Sequence, residues 1–180
     1  MAINNILEIK EVSPRTIIVY IAIAISIILT VYYLPNYFFL EKATADHTAM
    51  LLNVFGVNVQ SRSTNTAAFI DEIKIVKDCT GIQVFAVFLG LLLPLPKASL
   101  GRKAATLIVL SLILYLANVF RIALEFLLVH FRFLPWSLAH YPLSLLLGIA
   151  GVLFLVLVTD RLLPEFGSFI VSITKMKAHK

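Results

Sequence analysis

Long apolar stretches constrain this chain more than any other feature of its sequence. Residues 16–34 carry no Asp, Glu, Lys or Arg, and three further apolar stretches follow. A helix needs about 20 predominantly apolar residues to cross a hydrocarbon core about 30 Å thick. We therefore predict membrane-spanning helices at about 16–34, 80–95, 104–131 and 140–159.

The composition supports a membrane protein. Of the 180 residues, 60% are hydrophobic and only 14% are charged, whereas about a quarter of the residues of soluble proteins are charged. A water-soluble fold of this length could not bury so much apolar surface. We predict one all-α domain, residues 1–180, an integral membrane helical bundle of about four transmembrane helices with a small extracytoplasmic segment at 36–78.

The first apolar stretch resembles a secretory signal peptide only superficially. Its apolar part is longer than a usual signal-peptide core, and no small-x-small cleavage site follows it. We therefore interpret residues 16–34 as a retained helix.

The distribution of Lys and Arg predicts the orientation of the chain. Basic residues are concentrated in the short loop 96–103 and in the C-terminal tail, and basic short loops stay in the cytoplasm. We therefore expect both termini to be cytoplasmic. The cytoplasmic side would carry Lys10, Arg15, Lys97, Arg102, Lys103, Arg161, Lys175, Lys177 and Lys180. The net charge of +5 then suits anionic lipid headgroups, and no basic helix or aromatic platform indicates nucleic-acid binding.

Several shorter segments carry structural predictions. Residues 49–57 have an apolar stripe that suits the membrane surface, and residues 69–76 suit a short hairpin strand. Trp136 is expected in the outer aromatic belt, and Pro142 in the first turn of the fourth helix. Residues 162–174 are expected along the inner membrane surface.

The single cysteine, Cys79, is expected where the second helix enters from outside. A helix N-terminus lowers the pKa of a thiol, because its free N–H groups favour the thiolate, whereas the neighbouring Asp78 acts against this. The alternative is that Cys79 is a small apolar side chain that only fills space.

Arg121 lies inside the third apolar stretch, where a charged side chain costs at least ~2.5 kcal/mol if it is near the membrane centre. It lies about 25 Å along the helix from Ala104, at about 1.5 Å per residue, and so near the outer end of the hydrocarbon core. Asn118 and Glu125 share its helical face. The alternative is an Arg121–Glu125 ion pair that faces a neighbouring helix.

His140 precedes Pro142, at the outer entry of the fourth helix, and the alternative reading is an interfacial histidine. His130 could replace it as a base. His47, in the outer segment, and His179, in the tail, are weaker candidates.

The predicted topology brings a thiol, an imidazole and a guanidinium to the outer membrane edge. His140 can accept the Cys79 proton and later protonate a leaving amine, and Arg121 can stabilise an oxyanion or orient the scissile carbonyl.

The motifs of other hydrolases are absent from the sequence: it has no His-Glu-x-x-His and no Gly-x-Ser-x-Gly motif. A metal site of His130, His140 and Glu125 has no diagnostic spacing, so we assign no metal and no cofactor.

Three short motifs occur in order: Cys79-Thr80-Gly81, then Asn118-Val119-Phe120-Arg121, then His140 with Gly148. In this the chain resembles the exosortase/archaeosortase family of membrane-embedded cysteine transpeptidases. It is similar to the minimal core of that family, since many members have additional helices. Thr80 occupies the motif position at which serine is commoner in that family.

The resemblance implies an enzyme that acts on exported proteins with a C-terminal sorting signal. Cys79, Arg121 and His140 would be catalytic, with Asn118, Thr80 and Glu125 supporting them. Cys79 would form a thioester just outside the membrane, and the protein would pass to a new anchor, such as a lipid or glycan acceptor, or to water. The alternative is a non-catalytic accessory protein of an envelope assembly or export system.

Overall fold

The computed structural model describes residues 13–175, and helices dominate them. The helices are α1 (Pro14–Tyr33), α2 (Phe38–Val54), α3 (Ile82–Leu92), α4 (Leu100–His130), α5 (Trp136–Leu162) and α6 (Pro164–Lys175). The strands are β1 (Ser61–Ser63), β2 (Ala68–Ile70) and β3 (Ile73–Ile75). Most of the predicted cytoplasmic lead, together with Lys10, Lys177, His179 and Lys180, lies outside the described residues.

Three helices are long and apolar enough to cross a membrane: α1, α4 and α5. The fourth predicted span is the shorter apolar helix α3, of 11 residues. It packs closely on α1 at Gly90, where a Cβ atom would lie 2.5 Å from Ile28 Cγ1 and 2.7 Å from the Ala24 carbonyl oxygen. The prediction of a helical membrane protein is therefore confirmed, with α3 shorter than a full span.

The ends of the long helices follow ordinary capping chemistry. The Ser13 hydroxyl accepts a hydrogen bond from the Thr16 N–H, and Pro14 occupies the first turn of α1. The Ser99 hydroxyl accepts in the same way from the Arg102 N–H at the start of α4. Such caps satisfy N–H groups that have no partner inside the helix.

Helix α5 begins earlier than predicted and contains Pro142 in its interior. The helix starts at Trp136, and residues Ala139–Leu143 form a π-helical segment. Proline has no N–H group, and its ring clashes with a carbonyl in a regular α-helix, so the wider π turn accommodates it. The first-turn position predicted for Pro142 was therefore wrong.

The predicted outer segment, residues 36–78, folds into α2 and a three-stranded antiparallel sheet of order β1-β2-β3. The predicted strand at 69–76 is the hairpin of β2 and β3, in which Ala68 pairs with Ile75. Residues 49–57 include the end of α2, where Ala49 and Leu52 are buried. A shared apolar cluster, called here the outer cluster, joins α2, the sheet and α4; its buried members include Ala45, Ala49, Leu52, Ile70, Ile75, Ile122 and Ala123.

A second apolar cluster holds the opposite end of the bundle. It contains Tyr20, Phe88, Leu92, Leu95, Leu107, Leu110, Leu155, Leu163, Phe166 and Phe169. Helix α6, which includes most of the predicted inner segment, covers this end through Phe169, whose ring centroid lies 4.7 Å from that of Tyr20. The Lys103 ammonium donates to the Leu93 carbonyl at 2.7 Å, and Arg102 forms an ion pair with Glu165.

Candidate active site

Cys79 lies in a single 3₁₀ turn, Lys77–Thr80, that follows β3 and precedes α3. The Thr80 hydroxyl donates to the Lys77 carbonyl at 2.6 Å and accepts from the Ile82 N–H at 3.4 Å. Gly81 has φ +77°, and a Cβ atom there would lie 3.4 Å from Leu114 Cγ. Because a positive φ favours glycine, Thr80 and Gly81 together fix the turn that carries the thiol.

The Cys79 side chain is half-buried and packs against the outer cluster. Burial raises the pKa of the Cys79 thiol; a backbone hydrogen bond with Val76 and the charge of Arg121 act in the opposite direction, and the charges of Glu125 and Asp78 add to the rise. Because burial is the largest of these effects, the net direction is a rise, opposite to the lowering predicted from a helix N-terminus. A raised pKa favours the protonated thiol at neutral pH, whereas the thiolate is the nucleophilic form.

Asn118 connects this turn to α4. Its Nδ2 donates to the Cys79 carbonyl oxygen at 2.5 Å, and its Oδ1 accepts from Arg121 Nη2 at 3.3 Å. The Asn118 side chain is buried, and both hydrogen bonds are at least partly shielded from water. The predicted common face of Asn118 and Arg121 is thus observed.

Arg121 binds acceptors on two helices. Its Nη1 donates to Glu125 Oε1 at 2.9 Å, one turn further along α4, and also to the Ser144 hydroxyl of α5. The ion pair offered above as an alternative is therefore present, and it is one part of a larger polar network.

Glu125 carries this network on to His140. Its side chain is only 3% exposed, and Oε2 lies 3.1 Å from His140 Nδ1. The His140 ring also stacks on Trp136, with 5.1 Å between ring centroids and an interplanar angle of 10°. The network thus runs from the Cys79 carbonyl through Asn118, Arg121 and Glu125 to the imidazole.

Within residues 13–175 no hydrogen bond joins the Cys79 thiol directly to His140. The structure brings the two residues to one end of the bundle and links them through the buried polar side chains of α4. In an enzyme without substrate, catalytic hydrogen bonds are often long or not yet formed.

His130 and His47, the other candidate histidines among the described residues, have no contact with the network. The ring of His130 packs edge-on against Phe131, and His47 Nδ1 lies 2.6 Å from the Tyr115 hydroxyl. Among the described residues, no group of three His, Cys, Asp or Glu side chains is arranged to hold a metal ion.

A cavity of about 360 Å³ opens beside the network, between the start of α3, α4 and α5. Asn118, Arg121 and Ser144 line one part of it, and most of the remaining lining is apolar. Gly148 and Gly151 form part of its α5 wall, and a Cβ atom at either would meet no atom within 4 Å. Arg121 therefore faces a largely apolar cavity.

The polar or aromatic contacts of three residues, Trp136, Ser144 and Asp78, were not predicted. Trp136 and Ser144 lie four residues before and after His140, and that spacing on one helix was the available indication. Asp78 accepts hydrogen bonds from the Tyr32 hydroxyl at 2.8 Å and from Gln83 Nε2 at 2.5 Å. These bonds join α1 and α3 beside the Cys79 turn.

Comparison with known proteins assigns the chain to a family. The family model of the transmembrane exosortases (Exosortase_EpsH) matches residues 13–159, which include all the residues of the network. No curated protein and no solved structure matches the chain significantly. Since the matched region is most of the chain, the protein belongs to the transmembrane exosortase family.

Proposed function

We propose that this protein is a membrane cysteine transpeptidase that cleaves the C-terminal sorting signals of exported proteins and transfers the proteins to a new anchor. One observation carries the proposal: a continuous, partly buried hydrogen-bond network connects the Cys79 turn with Arg121 and His140. Family membership supports a membrane sorting function. The Cys79 nucleophile and the roles of the other residues are our assignment.

In the proposed reaction the Cys79 sulfur attacks the carbonyl carbon of the scissile peptide bond. His140 accepts the thiol proton and returns it to the leaving amine, so that the C–N bond breaks and a thioester remains. Arg121 stabilises the negative oxygen of the tetrahedral intermediate. A hydroxyl or amine of the acceptor then attacks the thioester and frees the thiol, whereas attack by water gives simple cleavage.

The raised pKa of Cys79 supports a role for a separate base. A neutral thiol is a weak nucleophile, and a neighbouring imidazole activates it by removing the proton as the attack proceeds. Substrate binding must therefore bring the thiol and His140 into contact. His130, which packs on Phe131 outside the network, is a poorer candidate for this base.

The apolar cavity supports a substrate that is itself anchored in the membrane. Its lining is mostly apolar and includes Asn118, Arg121 and Ser144, so it suits a peptide bond that lies next to a transmembrane segment. We place the site on the extracytoplasmic side of the cell membrane with both termini in the cytoplasm, as the basic loop 96–103 indicates. The acceptor is a lipid or a glycan.

A second function rests on a different observation. The Arg121–Glu125 pair is buried and Cys79 packs against the outer cluster, as expected of a non-catalytic accessory protein of an envelope assembly or export system. In that protein Cys79→Ser would have no effect, and Arg121 and Glu125 would matter only for folding or assembly.

The test replaces the chromosomal copy of the gene in the host with single variants. Quantitative mass spectrometry of the membrane fraction then measures which exported proteins retain their C-terminal transmembrane segment; we call this the processing assay. We expect Cys79→Ala and His140→Ala to abolish processing while the protein still inserts, and His130→Ala to retain it. Normal processing by Cys79→Ala would refute the proposal.

A further inference from the structure

Glu125 is the one carboxylate within the described network, and it uses both of its oxygens. Oε1 accepts from Arg121 Nη1 at 2.9 Å, and Oε2 lies 3.1 Å from His140 Nδ1. A carboxylate that pairs with a guanidinium only accepts hydrogen bonds. The hydrogen of the His140 contact must therefore be on Nδ1.

We propose that Glu125 is a positioning residue that holds His140 in the tautomer with Nδ1 protonated. In neutral imidazole the other nitrogen, Nε2, then has a free lone pair and is the atom that accepts the Cys79 proton. When Nε2 becomes protonated, Glu125 also stabilises the imidazolium without taking its proton, as a buried carboxylate does in serine proteases. This inference rests on the proposed function.

Trp136 completes the restraint on the imidazole. The indole stacks on the His140 ring at an interplanar angle of 10°, and its other contact is edge-on to Phe126 of α4. The carboxylate fixes one ring nitrogen, and the indole fixes the plane of the ring. Both χ angles of His140 are thereby restrained. A base acts efficiently only when it is held in the orientation that the reaction needs.

The charges around His140 agree with this role. Glu125 faces it from α4, Arg121 lies behind Glu125, and Tyr141 contacts it from its own π segment, at 5.2 Å between ring centroids. The Arg121–Glu125 pair is neutral as a unit. Protonation of His140 therefore adds one positive charge directly beside a carboxylate.

The first test compares Glu125→Gln with Glu165→Gln. Both variants neutralise a glutamate paired with an arginine, but Glu165 pairs with Arg102 at the opposite end of the bundle. We expect Glu125→Gln to slow processing by about 100-fold or more, as loss of an orienting carboxylate does, and Glu165→Gln to leave it unchanged. Equal processing by wild type and Glu125→Gln would overturn the inference.

The second test measures the tautomer itself. The purified protein with ¹⁵N-labelled histidine in detergent micelles gives imidazole ¹⁵N shifts, and His140→Ala identifies the signals of His140. We expect a protonated Nδ1 and a bare Nε2 in the wild type, and a mixture of tautomers in Glu125→Gln, because an amide can donate or accept. A bare Nδ1 in the wild type would contradict the inference.

Trp136→Leu tests the same restraint without disturbing the ion pair, and so remains informative if Glu125→Gln fails to fold. We expect it to slow processing by about tenfold or more, because a catalytic group would be imprecisely placed. Unchanged processing would argue against the restraint.

The two proposals can be refuted separately. Processing that needs Cys79 but not Glu125 or Trp136 refutes this inference alone, and processing without Cys79 refutes the proposed function.

Discussion

Neutralising Arg121 and Glu125 singly and together separates the structural role of this pair from its catalytic role. The perturbation is a double-mutant cycle of Arg121→Gln, Glu125→Gln and the combined variant. The two side chains are 19% and 3% exposed, with 2.9 Å between Nη1 and Oε1. Replacing one member of a buried ion pair leaves the other charge buried without its partner, which destabilises the fold.

The structure gives the expected size of the effect. Loss of one partner of a buried pair costs ~3–5 kcal/mol in soluble proteins. Here Arg121 keeps Asn118 and Ser144, and Glu125 keeps His140. We therefore expect about 2–3 kcal/mol for each single variant, below the range for a pair with no other partners. The double variant strands no charge and should cost no more than either single one, so the coupling is about 2–3 kcal/mol.

The assay is unfolding of the purified protein in mixed micelles with increasing SDS, followed by circular dichroism. The exposed pair Lys42–Asp46 is the control, because it has the same i,i+4 spacing but 49% and 40% exposed side chains. Its coupling should be about 0.5 kcal/mol or less. Additive effects at Arg121 and Glu125 would refute the buried pair. If stability returns in the double variant, processing should remain absent.

Three further outcomes are expected. Asn118→Ala removes the hydrogen bond to the Cys79 carbonyl, so the free energy of unfolding should fall by about 1–3 kcal/mol and processing should fall with it. Gly151→Leu should fill the empty side of the cavity, and so lower processing in the processing assay without changing the unfolding midpoint, whereas Gly101→Leu, at an open position of α4, should affect neither. Because burial raises the pKa of Cys79, its alkylation by a membrane-impermeant maleimide should still accelerate above pH ~8.5; a rate already constant at neutral pH would contradict this.

Features that depend on the geometry of one helix could be predicted from the sequence. Asn118, Arg121 and Glu125 share a face because residues three and four apart are neighbours on any α-helix. The three long spans follow from the length of their apolar stretches. The hairpin of β2 and β3 follows from β-branched residues around a short turn.

What depends on contacts between elements could not be read in this way. The thiol pKa of Cys79 is dominated by burial under the outer cluster, whose members are far apart in the chain. Stacking of Trp136 on His140 occurs at a π segment that the presence of Pro142 did not by itself predict. The contact of Ser144 with Arg121 was not predicted. Its only indication in the sequence is the position four residues after His140, and such a spacing is too common to be diagnostic.

In the proposed mechanism, Cys79 forms a thioester with an exported protein. Hydroxylamine attacks thioesters, and so would leave a C-terminal hydroxamate on each protein released from Cys79. The decisive measurement is mass spectrometry of C-terminal peptides from host membranes incubated with hydroxylamine. We predict hydroxamate-terminated proteins in the wild type and none in Cys79→Ala. Equal amounts of hydroxamate in both strains, or normal cleavage in Cys79→Ala, would contradict the claim.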